Sequence, residues 1–131
     1  MTGPSLPGLR WACALNTLNA NEPVAVVALG FDRQQRPVEG LVLQDGTGQL
    51  RAYLNRCRHL PVPLDASRRF LTDDKTHLRC RTHGARFRIS DGMCTLGPCQ
   101  GLPLWPLETQ IHAGQVYIVA TALQAILDQL T

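Results

Sequence analysis

Eleven glycines and nine prolines are spread through a chain of 131 residues, and that punctuation more than anything else limits what the chain can build. Helices are broken or kinked by such residues, while short extended segments fit comfortably between them. The runs that remain are β-branched or alternating: Val24 to Leu29, Val38 to Leu43 and Leu50 to Leu54 read as strands. Asp45-Gly46-Thr47-Gly48 stands between two of them, which is turn chemistry joining antiparallel neighbours. His77 to Cys80, Ala85 to Ile89 ahead of a turn at Ser90-Asp91-Gly92, and Val116 to Thr121 are further strand candidates. Only the end reads as helix. From Ala122 to Leu130 the apolar residues Leu123, Ile126, Leu127 and Leu130 recur at helical spacing, predicting one short amphipathic helix. The expected architecture is all-β and mostly antiparallel, with a small helical tail and no internal repeat.

Hydrophobic residues at 44% against 18% charged allow a real core and exclude a disordered chain, and the length suits one domain. No apolar run approaches the roughly 20 residues that span a bilayer as a helix. Residues 1–8 lack the basic start and apolar stretch of a secretion signal, so a cytoplasmic location is expected. In that reducing compartment five cysteines, an odd number, point to metal ligation or simple burial rather than to a disulfide framework.

Two short segments carry the chemistry. Asn55-Arg56-Cys57-Arg58-His59 and Arg79-Cys80-Arg81-Thr82-His83-Gly84 each place one cysteine and one histidine within a few residues of each other. A lone cysteine packs as a small hydrophobe and a lone histidine is commonly a surface residue, but two mixed pairs twenty residues apart form a ligand set. Thiolate with neutral imidazole suits zinc or iron–sulfur. Structural zinc sites often group their ligands as a cysteine pair and a histidine pair, whereas here each clip offers one sulfur and one nitrogen. That arrangement suits a two-iron cluster: if both loops approach it from the same end, Cys57 and Cys80 can hold one iron and His59 and His83 the other. Four-cysteine ligation of the plant type is set aside, because Cys94 and Cys99 are not followed by a Cys-x-x-Cys. Cys13, Cys94 and Cys99 are left over, with packing or a redox role for the last two as the alternatives. His77 and His112 have no cysteine nearby and read as structural or surface residues.

With these ligands the sequence resembles the Rieske iron–sulfur family from about Val24 to Tyr117. His83-Gly84-Ala85-Arg86-Phe87 resembles that family's second cluster loop, and Gly97-Pro98 its cover loop. The resemblance implies an antiparallel β-sandwich or barrel with a cluster-binding subdomain at about residues 55–100, a C-terminal helix at about 122–130, and a [2Fe–2S] cofactor held by Cys57, His59, Cys80 and His83. The respiratory members carry an extra cysteine in each cluster loop, and Leu60 to Leu64 and Gly84 to Phe87 contain none, which argues against that high-potential class. Where the family places a serine and a tyrosine that donate hydroxyls to the cluster sulfurs, this chain has Ala85 and Phe87. Their absence implies a potential toward the low end of the Rieske range of about −150 to +300 mV.

Between Arg51 and Arg88 lie ten of the 13 basic residues and three acids, Asp65, Asp73 and Asp74, so this stretch carries +7 and the remainder −4. A basic rim of that kind either is a solvated face or steers docking to an acidic redox partner. Nucleic-acid binding is a weaker reading, since no recognition motif accompanies the arginines and aromatics are only 5%. The resemblance implies a ferredoxin-like one-electron carrier or small electron-transfer subunit for a separate oxygenase or reductase, as in the ferredoxins of ring-hydroxylating dioxygenase systems and the small subunits of assimilatory nitrite reductases. An oxygenase in one chain would need a second, mononuclear iron domain for which there is no room. The alternative from another class is a zinc-stabilised interaction or nucleic-acid module using the same four ligands.

Overall fold

The computed structural model describes residues 5–19, 23–58, 62–64, 69–81 and 84–130. Nine strands are arranged in three antiparallel sheets among these residues. The first joins β1 (Leu9–Ala14) to β9 (Gln115–Val119) and β8 (Thr109–His112). The second is a meander of β2 (Val24–Phe31), β3 (Pro37–Gln44) and β4 (Leu50–Leu54). The third is a small meander of β5 (His77–Arg79), β6 (Arg86–Arg88) and β7 (Cys94–Leu96). A 3-10 turn, Leu15–Thr17, follows β1, and a helix, α1 (Ala120–Gln129), follows β9 directly.

In the middle sheet β3 and β4 are buried on both faces. Val38 and Val42 of β3, with Ala52 and Leu54 of β4, join a core completed by Val116 and Ile118 of β9 and by Leu123 of α1. Leu41, Leu43 and Tyr53 point the other way, into a second core with Leu78, Phe87, Cys57 and Cys80. A strand covered on both faces reads as a continuous apolar run rather than an alternation, which is why Leu41-Val42-Leu43 is unbroken. This sheet is therefore the wall against which the third sheet and its loops are built.

Most sequence expectations are met, and the differences have local causes. β4 has the expected limits, and the Asp45 turn is tied by the Asp45 carboxylate, which accepts from the Thr47 and Gln49 amides. The last strand stops at Val119 and the helix begins at Ala120, two residues earlier than Ala122. Ala120 N–H makes the last bond of the β1–β9 register, to the Gly8 carbonyl, and the chain turns into the helix from there. β1, β7 and β8 are not evident from sequence. β1 has an irregular register between Trp11 and Cys13 that breaks its alternation, and β7 and β8 are only three and four residues long.

Candidate metal centre

The two cysteine-bearing segments leave the ends of β4 and β5. Cys57 and Cys80 are 1% and 0% exposed and lie in the same buried core. The two loops share a hydrogen-bond pattern: Cys57 N–H donates to the Val62 carbonyl at 2.9 Å, and Cys80 N–H to the Ala85 carbonyl at 2.7 Å, each five positions on. In the second loop the chain reverses at Gly84, whose φ of +70° favours a residue without a side chain. Gly84 N–H also donates back to the Cys80 carbonyl at 2.9 Å. His59 and His83 lie outside the described residues.

Leu64 ties the two loops together. Its N–H donates to Oδ1 of Asn55 at 3.0 Å, and its carbonyl accepts from the Arg81 N–H at 2.8 Å. Asn55 is itself buried, with its amide nitrogen donating to Glu39 Oε1 at 3.2 Å and its backbone N–H to the Glu39 carbonyl at 2.7 Å. The first loop is thus fixed to β3 and, through Leu64, to the second loop. Sequence reasoning missed both residues, because a contact between positions 55 and 64 leaves no periodic trace.

A third segment closes over the second loop. An added Cβ at Gly97 would stand 2.8 Å from Ala85 Cα and 3.1 Å from Ala85 Cβ, so the backbone of the Gly97-Pro98 turn rests directly on Ala85. Ala85 and Phe87 are fully buried. At the base of the same turn Cys94 and Cys99 are buried with their sulfurs 3.1 Å apart, and the Cys94 thiol reaches the Leu96 carbonyl at 3.3 Å. Burial pushes the Cys99 thiol up to about 12, and the adjoining Cys94 adds to the rise. Cys13 belongs to the other core.

The basic stretch is less bare than its sequence charge. Arg56 reaches Asp32 at 3.2 Å, Arg51 reaches Asp45 at 3.1 Å and Arg88 reaches Asp91 at 2.6 Å, all three acids lying outside the stretch. Arg58 stacks on Trp105, its guanidinium carbon 4.3 Å from the ring centroid. Arg81 and Arg86 are exposed. Asp32 is a hub: its carboxylate accepts from the amides of Gln34 and Arg36 and from the side chains of Arg36 and Arg56. Desolvation opposes ionisation there, but these hydrogen bonds outweigh it and hold the carboxyl at about 2. His77 and His112 sit away from the cysteines, His77 against Thr76 and His112 against Gln110 and the Tyr117 ring.

The donor set fits an iron–sulfur group. Two thiols are sequestered from solvent on matching loops, each loop leads on to a histidine in sequence, and a turn rests on the second of them. Neutral thiols could remain buried there unaided, but a protein that only needed small apolar fillers would have no use for two cross-tied loops of this kind.

A family model described as Rieske [2Fe-2S] domain matches residues 10–109. Among solved structures, the chain is similar to one reported as a complex of reduced oxygenase and oxidised ferredoxin in carbazole 1,9a-dioxygenase. That match has a TM-score of 0.62 and 23% identity over 88% of this chain and 95% of the other. It is similar also to the ferredoxin of carbazole 1,9a-dioxygenase from Nocardioides aromaticivorans, at a TM-score of 0.60 and 22% identity over 85% and 96% of the two chains. A Sphingomonas yanoikuyae ferredoxin gives a TM-score of 0.59 and 22% identity, over 85% and 97%. No curated protein matches the sequence.

Proposed function

The chain belongs to the Rieske [2Fe–2S] domain family, and from that premise we propose that it is a ferredoxin-like one-electron carrier whose cluster is held by Cys57, His59, Cys80 and His83. The [2Fe–2S] cluster of this family stores and releases one electron. The observation that carries the ligand assignment is the pair of buried cysteines on loops with the same five-residue hydrogen bond, joined through Leu64. Cys57 and Cys80 supply the anionic ligands in the protected interior, and His59 and His83, two and three positions further on, supply the neutral ones. The backbone of the Gly97-Pro98 turn excludes water from the Ala85 side of the second loop.

The carrier serves a separate oxygenase, in keeping with the ferredoxins that share its fold, and receives its electron from a reductase. Docking to either takes place at the loop end of the third sheet. Exposed Leu96 and Leu102 flank the cover turn there, and exposed Arg81 and Arg86 bring positive charge. No helix among the described residues is long and apolar enough to cross a membrane.

Anaerobic purification followed by iron and acid-labile sulfide analysis, visible absorption and Mössbauer spectroscopy tests this reading. Two irons and two sulfides per chain are expected, with two inequivalent iron sites. Cys57→Ser and Cys80→Ser should each abolish the visible absorption, since each removes an anionic ligand, whereas Cys13→Ser should leave it intact. One zinc per chain and no sulfide would overturn the proposal.

A further inference from the structure

Two of the five cysteines are used by the proposed cluster, one is isolated in the other core, and two face each other. Cys94 and Cys99 open and close the cover turn. Between them are only Thr95, Leu96, Gly97 and Pro98, and the backbone on both sides is firmly held. Cys94 N–H donates to the Leu102 carbonyl at 3.0 Å, Gly101 N–H to the Cys94 carbonyl at 3.0 Å, and Leu102 N–H to the Cys99 carbonyl at 2.9 Å. The 3.1 Å approach of the sulfurs is therefore set by the turn. Packing alone does not call for it, because two small apolar side chains could be placed anywhere in a core that already includes Leu78, Phe87 and Leu104.

We propose that Cys94 and Cys99 form a redox-active dithiol that closes to a disulfide on exposure to hydrogen peroxide and pins the cover turn over the second cluster loop. In the first step one sulfur attacks the terminal peroxide oxygen, the O–O bond breaks, and a sulfenic acid forms with release of water. In the second the other sulfur displaces the sulfenic oxygen, forming the S–S bond and releasing a second water. Two thiols and hydrogen peroxide give one disulfide and two waters, with two electrons passing from sulfur to oxygen. The oxidant must be small, because both sulfurs are at most 2% exposed, and a bulky disulfide reagent would not reach them. Closure cross-links the turn at its base. Gly97 rests its backbone on Ala85, so a turn that cannot open keeps that contact in place.

The dithiol stands on the two sulfurs alone, the pinning rests on the proposed cluster, and the thiol count tests the first independently of the second. The anaerobically purified protein, with its visible spectrum recorded, is treated with hydrogen peroxide at one equivalent, denatured in an alkylating reagent and mapped by mass spectrometry. Alkylatable thiols should fall from five to three, with the peptide spanning 94–99 unalkylated and two hydrogens lighter than its free dithiol, and both changes reversed when dithiothreitol precedes alkylation. The same result is expected for Cys13→Ser, with its count falling from four to two, and no cross-link for Cys99→Ser. Chelator-driven bleaching of the cluster should be several-fold slower in the oxidised form. A cross-link that includes Cys57, sulfinic acid at Cys94 or Cys99 without a cross-link, or no loss of thiols would each overturn the dithiol. Equal bleaching rates would overturn the pinning.

Discussion

At Gly97 the backbone adopts a φ of +105° and passes so close to Ala85 that a methyl group would stand 2.8 Å from a backbone carbon. Two penalties therefore fall on Gly97→Ala, the strained dihedral and the clash. Gly101, four residues on, has a φ of +90° with nothing within 4 Å of an added Cβ, so Gly101→Ala bears only the first. Strain of that kind costs on the order of 1–3 kcal/mol. We expect Gly101→Ala to lose about 1 kcal/mol of unfolding free energy and Gly97→Ala distinctly more, with faster cluster loss in the latter alone. Equal losses in chemical denaturation would show that the turn does not bear on the second loop. Ala85 itself permits a second test. Its serine variant restores a hydroxyl where the family places one, and the midpoint potential should rise as a donor reaches the cluster sulfurs. A fall or no change with the cluster intact would show that residue 85 does not face them.

Among the elements, the hairpin of β2 and β3 and the first cluster loop are coupled through Asp32, at the hairpin tip, and Arg56, beside Cys57. The Asp32 carboxyl is held at about 2, below the ordinary carboxylate range, so its contribution is fully present above that range and is lost as the pH falls through about 2. In Asp32→Asn that contribution is missing at every pH. Thermal unfolding should show the variant well below the parent near neutrality, with the gap narrowing as the pH drops from about 4 towards 2. A gap independent of pH would mean that the side chain matters for shape and not for charge. Asp32 was invisible in sequence because nothing in a Phe-Asp-Arg tripeptide indicates a partner 24 positions away. The strands of the middle sheet, by contrast, were legible, since runs such as Val38 to Leu43 need no distant partner to be read as extended and apolar. Cys57 and Cys80 stood out for a similar reason: the clue lies within each segment. What ties the segments together, Leu64 and Asn55, is a matter of tertiary hydrogen bonding between residues of ordinary type.

Across the whole molecule charge is divided unevenly, and the fold alters what the sequence suggests about it. The stretch from Arg51 to Arg88 carries +7 in sequence, yet Arg51, Arg56 and Arg88 are each met by an acid from outside it, and Arg58 stacks on Trp105. Reversal of Arg58 would mix lost packing with altered charge. Arg81 and Arg86 are exposed on and beside the second loop, and their reversal probes steering there, with Arg33, exposed in the turn between β2 and β3, as the control. Attraction between a basic rim and an acidic partner speeds encounter and is screened over about 10 Å at 0.1 M salt. Arg81→Glu and Arg86→Glu should therefore slow second-order electron transfer with the proposed reductase partner by roughly one order of magnitude at low salt, within the range that steering supplies. Both should flatten its dependence on ionic strength, while Arg33→Glu leaves rate and slope close to those of the parent. Stopped-flow mixing across a salt series measures both quantities. If all three variants slow equally, overall net charge governs encounter and the loop end has no special part in it. If none does, the exposed arginines are a solvated surface with no part in docking.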